Sequence, residues 1–231
     1  MTNTAITDPE ILEHRHPVRL WRFDSRRWLR RLAALAVVLV IVQGVLGGLR
    51  VTGSFTLSTA EADMTPSIGL AVAHGVLGQL FLGLMVAIAV VTSSSWIGAP
   101  AAERRPGVAV DHTLQAILIA VLVVQLVLGA IQRHMSQGLI VHISLAVVVV
   151  VVAIAAGARA WGLYVDHRPV QPLGRWLMSV VAVQVALGIA ALAVTQGRAV
   201  VGSPSTLEVT IATAHQVTGA FLLALAVALA L

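Results

Sequence analysis

Gln43-Gly-Val-Leu-Gly47, Gln125-Leu-Val-Leu-Gly129 and Gln184-Val-Ala-Leu-Gly188 are three copies of one pattern, Gln-x-x-Leu-Gly. Each copy sits late in a long apolar run, and the next apolar run carries one histidine near its start. These are His74 in Ala-His-Gly-Val-Leu-Gly, His142 in Val-His-Ile-Ser-Leu-Ala, and His215 in Ala-His-Gln-Val-Thr-Gly-Ala. A repeat in register at this period marks one supersecondary unit used several times. Here the unit is a helical hairpin, glutamine on the way out and histidine on the way back.

The runs themselves set the fold class. About 20 apolar residues in a helix cross a hydrocarbon core. Six segments meet that length: Leu32–Leu49, Ile68–Thr92, Thr113–Gln132, Leu139–Ala158, Trp176–Val194 and Val209–Leu231. Pro66, Pro106, Pro169, Pro172 and Pro204 fall between them, where helix breakers belong. The expected architecture is all-α: a polytopic transmembrane bundle of six spans, built as three Gln/His hairpins.

Composition agrees. Of 231 residues, 58% are hydrophobic and 11% charged, and mean hydropathy is +0.92. Soluble domains run near 45–50% apolar and about 25% charged. The absence of cysteine excludes disulfides, thiolate metal sites and cysteine nucleophiles. All 15 basic residues are arginine, so a Schiff-base lysine and a Walker A loop are excluded too. The pI near 11.4 is not read as a nucleic-acid signal, because the arginines stand beside membrane spans.

Their placement orients the chain. Twelve arginines lie on one side, in residues 1–31, 93–112 and 159–175; the other side has only Arg50, Arg133 and Arg198. The positive-inside rule puts both termini in the cytoplasm. Residues 1–31 read as a basic cytoplasmic segment, and 32–231 as the membrane bundle. The first span reads as a retained anchor, since the basic lead is too long for a signal peptide's n-region. The chain stops at Leu231 inside an apolar run, as expected of an incomplete longer sequence.

Histidine and glutamine are costly in hydrocarbon and are expected to face the bundle interior. The glycine four residues after each glutamine reads as a close-packing position. At 1.5 Å per residue, His74 and His215 lie roughly 10 Å below the outer helix ends, and His142 is shallower. Four readings of the histidines stand side by side. They are buried groups bonded to neighbouring helices; or a proton or ion pathway, which usually adds intramembrane carboxylates; or a hydrolytic zinc site, which usually adds a carboxylate; or ligands of heme. Every acidic residue lies outside the apolar cores, with Asp111 and Glu208 at span boundaries, which disfavours the second and third. Heme needs one or two imidazoles, an apolar slot, and cations for its propionates. Arg50, Arg133 and Arg198 lie on the histidine side. His134 stands in the turn before the fourth span, while His14, His16, His112 and His167 lie at or beyond span ends.

The order of these motifs resembles the heme A synthase family of cytochrome oxidase assembly proteins. The resemblance is carried by Gln43 to Thr52, Leu70 to Gln79, Gln125 to His134 with Val141-His142, and Ala214 to Gly219. It implies a bundle of the bacterial cytoplasmic membrane that binds heme and oxidises a methyl group of heme O to a formyl group. His74 and His142 would be the pair of the N-terminal bundle and His215 the first ligand of the C-terminal one, its partner supplied by a longer chain, absent in a five-coordinate site, or given across a homo-oligomer interface. Arg50 and Arg133 would hold the porphyrin's polar edge. Heme O synthase and a terminal oxidase would be partners, besides the lipid bilayer. Many members carry a glutamate three residues before the first histidine; here that place is Ala71. A heme carrier or a b-type electron-transfer subunit is the non-catalytic alternative.

Overall fold

The computed structural model describes residues 26–52, 67–98, 107–167, 169–196 and 204–231. Six long helices account for nearly all of them: α1 (Arg27–Thr52), α2 (Ile68–Thr92), α3 (Val108–Met135), α4 (Leu139–Leu163), α5 (Val170–Gln196) and α6 (Thr206–Ala230). A single helical turn, Ser94–Ile97, follows α2, and there is no strand among the described residues. All six helices are long and apolar enough to cross a membrane. The chain is a multi-pass membrane protein.

Local chemistry sets the ends. Ser67 caps α2, its Oγ accepting the Leu70 N–H at 3.4 Å. Ser205 and Glu208 form a reciprocal capping box on α6, which satisfies two backbone donors that would otherwise be exposed at the helix start. Ser136 and Gly138 both take positive φ, 53° and 79°, so only residues 136–138 separate α3 from α4. The helices outrun the apolar segments. α1 starts at Arg27, inside the segment read as a cytoplasmic lead, because arginine is a good helix former and the lipid boundary does not end a helix. Pro172 lies within the first turn of α5 rather than between spans, where its missing N–H leaves no bond unmade.

The end at which α1 leads to α2, α3 to α4 and α5 to α6 is called the upper end below. α3, α4, α5 and α6 pack as a closed ring, each against the next and α6 back against α3. The α1–α2 hairpin lies outside this ring, with α2 set against α3 and α6 and α1 against α2.

The ring is solid in its lower half. Leu118 and Leu122 of α3, Val149, Ala153 and Ala156 of α4, Leu177 and Val181 of α5, and Leu222, Leu223 and Ala226 of α6 form one enclosed core. Small residues let α4 and α5 touch backbone to backbone: a Cβ on Gly174 would lie 2.5 Å from the Gly157 carbonyl oxygen. Above Leu122, Val149, Val181 and Leu222, no described ring residue is fully enclosed.

Polar clasps hold the lower end. Arg159 Nε donates to Asp111 Oδ1 at 2.6 Å and Tyr164 donates to Oδ2 at 2.7 Å, joining α4 to α3. Arg26 donates to the Val91 carbonyl at 2.9 Å, a cation on the C-terminal turn of α2, where the helix dipole favours it. Trp28, Trp96, Trp161 and Trp176 are all exposed at this same end. That is the place of an interfacial aromatic belt.

Candidate functional site

In each repeat the glutamine amide reaches the histidine of the partner helix, though not the same atoms. In the first, the Gln43 amide donates to the His74 main-chain carbonyl at 3.0 Å. In the second, the Gln125 amide donates to the His142 carbonyl at 3.0 Å and meets ring Nε2 at 3.3 Å. In the third, the Gln184 amide meets His215 Nε2 at 3.4 Å.

The conserved spacing of glycine within the repeat has a specific steric cause. A Cβ on Gly47, Gly129 or Gly188 would lie 3.4, 3.3 or 3.1 Å from Cε1 of the hairpin's own histidine. Each imidazole thus rests against bare backbone one turn beyond the glutamine. The converse also holds. A Cβ on Gly78 or Gly219, four residues after the histidine, would meet the glutamine amide at 2.9 or 3.1 Å. The second repeat has Ala146 at this place. The sequence reading missed this half of the motif, although a small residue at His+4 occurs in all three copies.

The outcome of Gly78→Ala follows from which atom gives way. The new methyl meets only the end of a flexible side chain, so the cost stays below about 1.5 kcal/mol, in the range of tolerated volume changes. Thermal melting in detergent should show a shift of a few degrees at most; loss of folded protein would mean that the Gln43 amide is rigidly held.

Depth differs between the repeats. His142 lies three residues into α4, His74 six into α2 and His215 nine into α6, or about 5, 9 and 14 Å along the axes. His142 and His215 both lie in the upper half of the ring, on α4 and α6, which belong to facing hairpins. The ring does not enclose His74. Gly83, nine residues further and so on the opposite face of α2, is the position directed at Val227 of α6, while His74 rests on Gly47 of α1. The resemblance pairs His74 with His142; in the structure α2, which carries His74, packs against α3 and α6 from outside the ring that holds His142 and His215. Among the described residues, no three His, Cys, Asp or Glu side chains gather as a metal-ligand group.

The upper half of the ring is polar and incompletely bonded. Gln125 Oε1, Gln132 Oε1, Gln184 Oε1, His142 Nδ1 and His215 Nδ1 are buried without hydrogen-bond partners. Among the described residues of the lower half, only Gln115 Oε1 is in that state. The first hairpin adds Gln43 Oε1 and His74 Nδ1. Each such atom costs about 1–3 kcal/mol, so the polar cluster stands as a feature that function, not stability, explains.

Arg133 is exposed at the upper end of α3 and donates to Gln216 Oε1 of α6 at 2.6 Å. Gln216 follows His215 in the chain, ten residues into α6. Arg50 closes the last turns of α1, but its side chain lies outside the described residues, as do Arg198, His14 and His16. His134 belongs to the last turn of α3 rather than to a turn between helices. His112 is exposed in the first turn of α3, and His167 meets Tyr164 edge-on at 5.9 Å. Arg159, read from sequence as a topology determinant, is the partner of Asp111. Ala71 is buried, 6% exposed, one turn before His74.

Comparison with family models, curated proteins and solved structures found no match.

An iron porphyrin fits these donors. Two imidazoles stand on facing hairpins of one ring, each with Nδ1 free of any hydrogen bond and Nε2 in only a long contact to a glutamine amide. The half of the ring around them lacks the tight filling of the lower half. A planar cation that suits carboxylate, Arg133, stands in the last turn of α3.

Proposed function

We propose that this protein is a heme-binding membrane protein of the heme A synthase type, in a bacterial cytoplasmic membrane with both termini cytoplasmic, and that it oxidises the methyl group of heme O. The observation that supports it most is the pair His142 and His215 in one four-helix ring above a solid apolar floor, each Nε2 in only a long contact to a glutamine amide.

In this reading His142 and His215 hold the iron. Leu122, Val149, Val181 and Leu222 form the floor that stops the porphyrin from sinking and keeps water from entering from below. Arg133 holds a propionate, exchanging its bond to Gln216 for a carboxylate. When bound, heme supplies the redox chemistry, with oxygen and electrons from an outside donor; the protein supplies position and a dry apolar wall.

Ala71 favours a second reading, a heme carrier or a b-type electron-transfer subunit. A buried methyl group there offers no proton-transferring group beside His74. Pigment analysis separates the two. Expressed with heme O synthase, the enzyme accumulates heme A, and the carrier holds heme b or heme O unchanged. A protein that stays colourless after heme feeding rules out both. Arg133→Ala should speed heme loss to apomyoglobin by roughly 5–30-fold, as expected for a charge-assisted contact of about 1–2 kcal/mol, without altering the spin state. An unchanged rate removes the propionate role.

A further inference from the structure

Gln125 and Gln184 do more than tie helices together. The Gln125 amide nitrogen is identified by its 3.0 Å bond to the His142 main-chain carbonyl, where an amide oxygen would be repelled. The same nitrogen meets ring Nε2 at 3.3 Å. An amide N–H only donates, so Nε2 must present its lone pair and the ring proton must reside on Nδ1. The Gln184 amide nitrogen lies 3.4 Å from His215 Nε2; no main-chain carbonyl fixes that amide, and the shared register of the two repeats carries the assignment across. Nδ1 of each ring is buried without a hydrogen-bond partner, while the Cε1 edge rests against Gly129 or Gly188. Gly129 and Gly188 permit that approach, because a Cβ there would press on the ring. The first repeat differs: the Gln43 amide bonds to the His74 main-chain carbonyl, and no bond to the ring is made.

We propose that Gln125 and Gln184 are positioning residues that hold His142 and His215 in the Nδ1–H tautomer, with the Nε2 lone pair poised for a metal. A neutral imidazole that binds iron through Nε2 carries its proton on Nδ1, so coordination then needs no proton to leave. On coordination the ring nitrogen would exchange one long N–H···N contact for the metal. His74, with no amide on its ring, is not held in this way. The use of the lone pair by iron rests on the heme reading; the tautomer itself does not.

The test uses the full chain in detergent, metal-free, with 15N-labelled histidine. Two-bond 15N–1H correlation spectra report which ring nitrogen carries the proton, with His142→Ala and His215→Ala assigning the signals. The expected result is the Nδ1–H pattern for His142 and His215. Gln125→Glu and Gln184→Glu replace the donor by an acceptor of the same shape, and each should convert its own histidine to Nε2–H while circular dichroism stays unchanged. A purely structural glutamine would leave the tautomer unmoved by this exchange. Nε2–H signals in the unsubstituted protein, or no change in the glutamate variants, overturn the proposal. Hemin titration is the separate arm. The glutamate variants should bind at least tenfold more weakly, and equal binding contradicts the poising role. Nδ1–H signals in a protein that takes up no hemin would refute the heme reading and leave the tautomer assignment standing.

Discussion

His142→Ala and His215→Ala are each expected to abolish the low-spin heme spectrum and to reduce copurified heme by more than tenfold. Loss of a second-shell partner of a metal ligand alone costs about 10–100-fold in affinity, and loss of the ligand should cost at least as much. The two histidines belong to facing hairpins of one closed ring, so each deletion leaves a single imidazole. His74→Ala should retain most of the heme and the low-spin spectrum, since that ring lies against α1, outside the four-helix ring. Absorption spectra of the three purified variants decide the matter. If His74→Ala alone erases the spectrum while His215→Ala does not, the iron resides with the first hairpin and the assignment to the ring is wrong.

Gly174→Leu is expected to have the largest effect on stability. A Cβ at this position would lie 2.5 Å from the Gly157 carbonyl oxygen, 2.7 Å from the Trp161 nitrogen and 2.9 Å from Ala160 Cβ. Two of those atoms are backbone, and the third is fixed directly to it. No rotamer change relieves the clash, so α4 and α5 must separate. Overpacking typically costs about 1–3 kcal/mol and occasionally more, and this site belongs at the upper end. Gly44→Leu is the control, since nothing stands within 4 Å of a Cβ there. Thermal denaturation in detergent should show a large drop for the first and little change for the second. Equal midpoints would mean that the α4–α5 contact does not bear on stability.

These expectations show which features the chain advertises. Six spans and three hairpins were legible because burial in lipid demands unbroken apolar runs, and a repeated polar pair in such a run stands out. The span Ile68–Thr92 was bounded correctly because Ser67 caps it and Ser93 follows it. The ends of α1, α3 and α5 were not, because arginine, histidine and an N-terminal proline continue a helix beyond the hydrocarbon. The glycine after each glutamine was legible as a packing site, but its contact with an imidazole required the register of two helices. The Asp111–Arg159 pair spans 48 residues, and no local pattern announces it. The choice of which hairpins close a ring was equally hidden, since all three carry the same motif and only the packing of α6 against α3 distinguishes them.

The contrast between a filled lower half and a loosely packed upper half of the ring bears on how the chain breathes. Backbone amides around Leu118 and Leu177 should exchange with deuterated solvent orders of magnitude more slowly than those around Gln132 and Gln216. Such a gradient makes the base of the barrel a rigid anvil and its rim a compliant collar, able to part for a large flat guest without loosening the foundation.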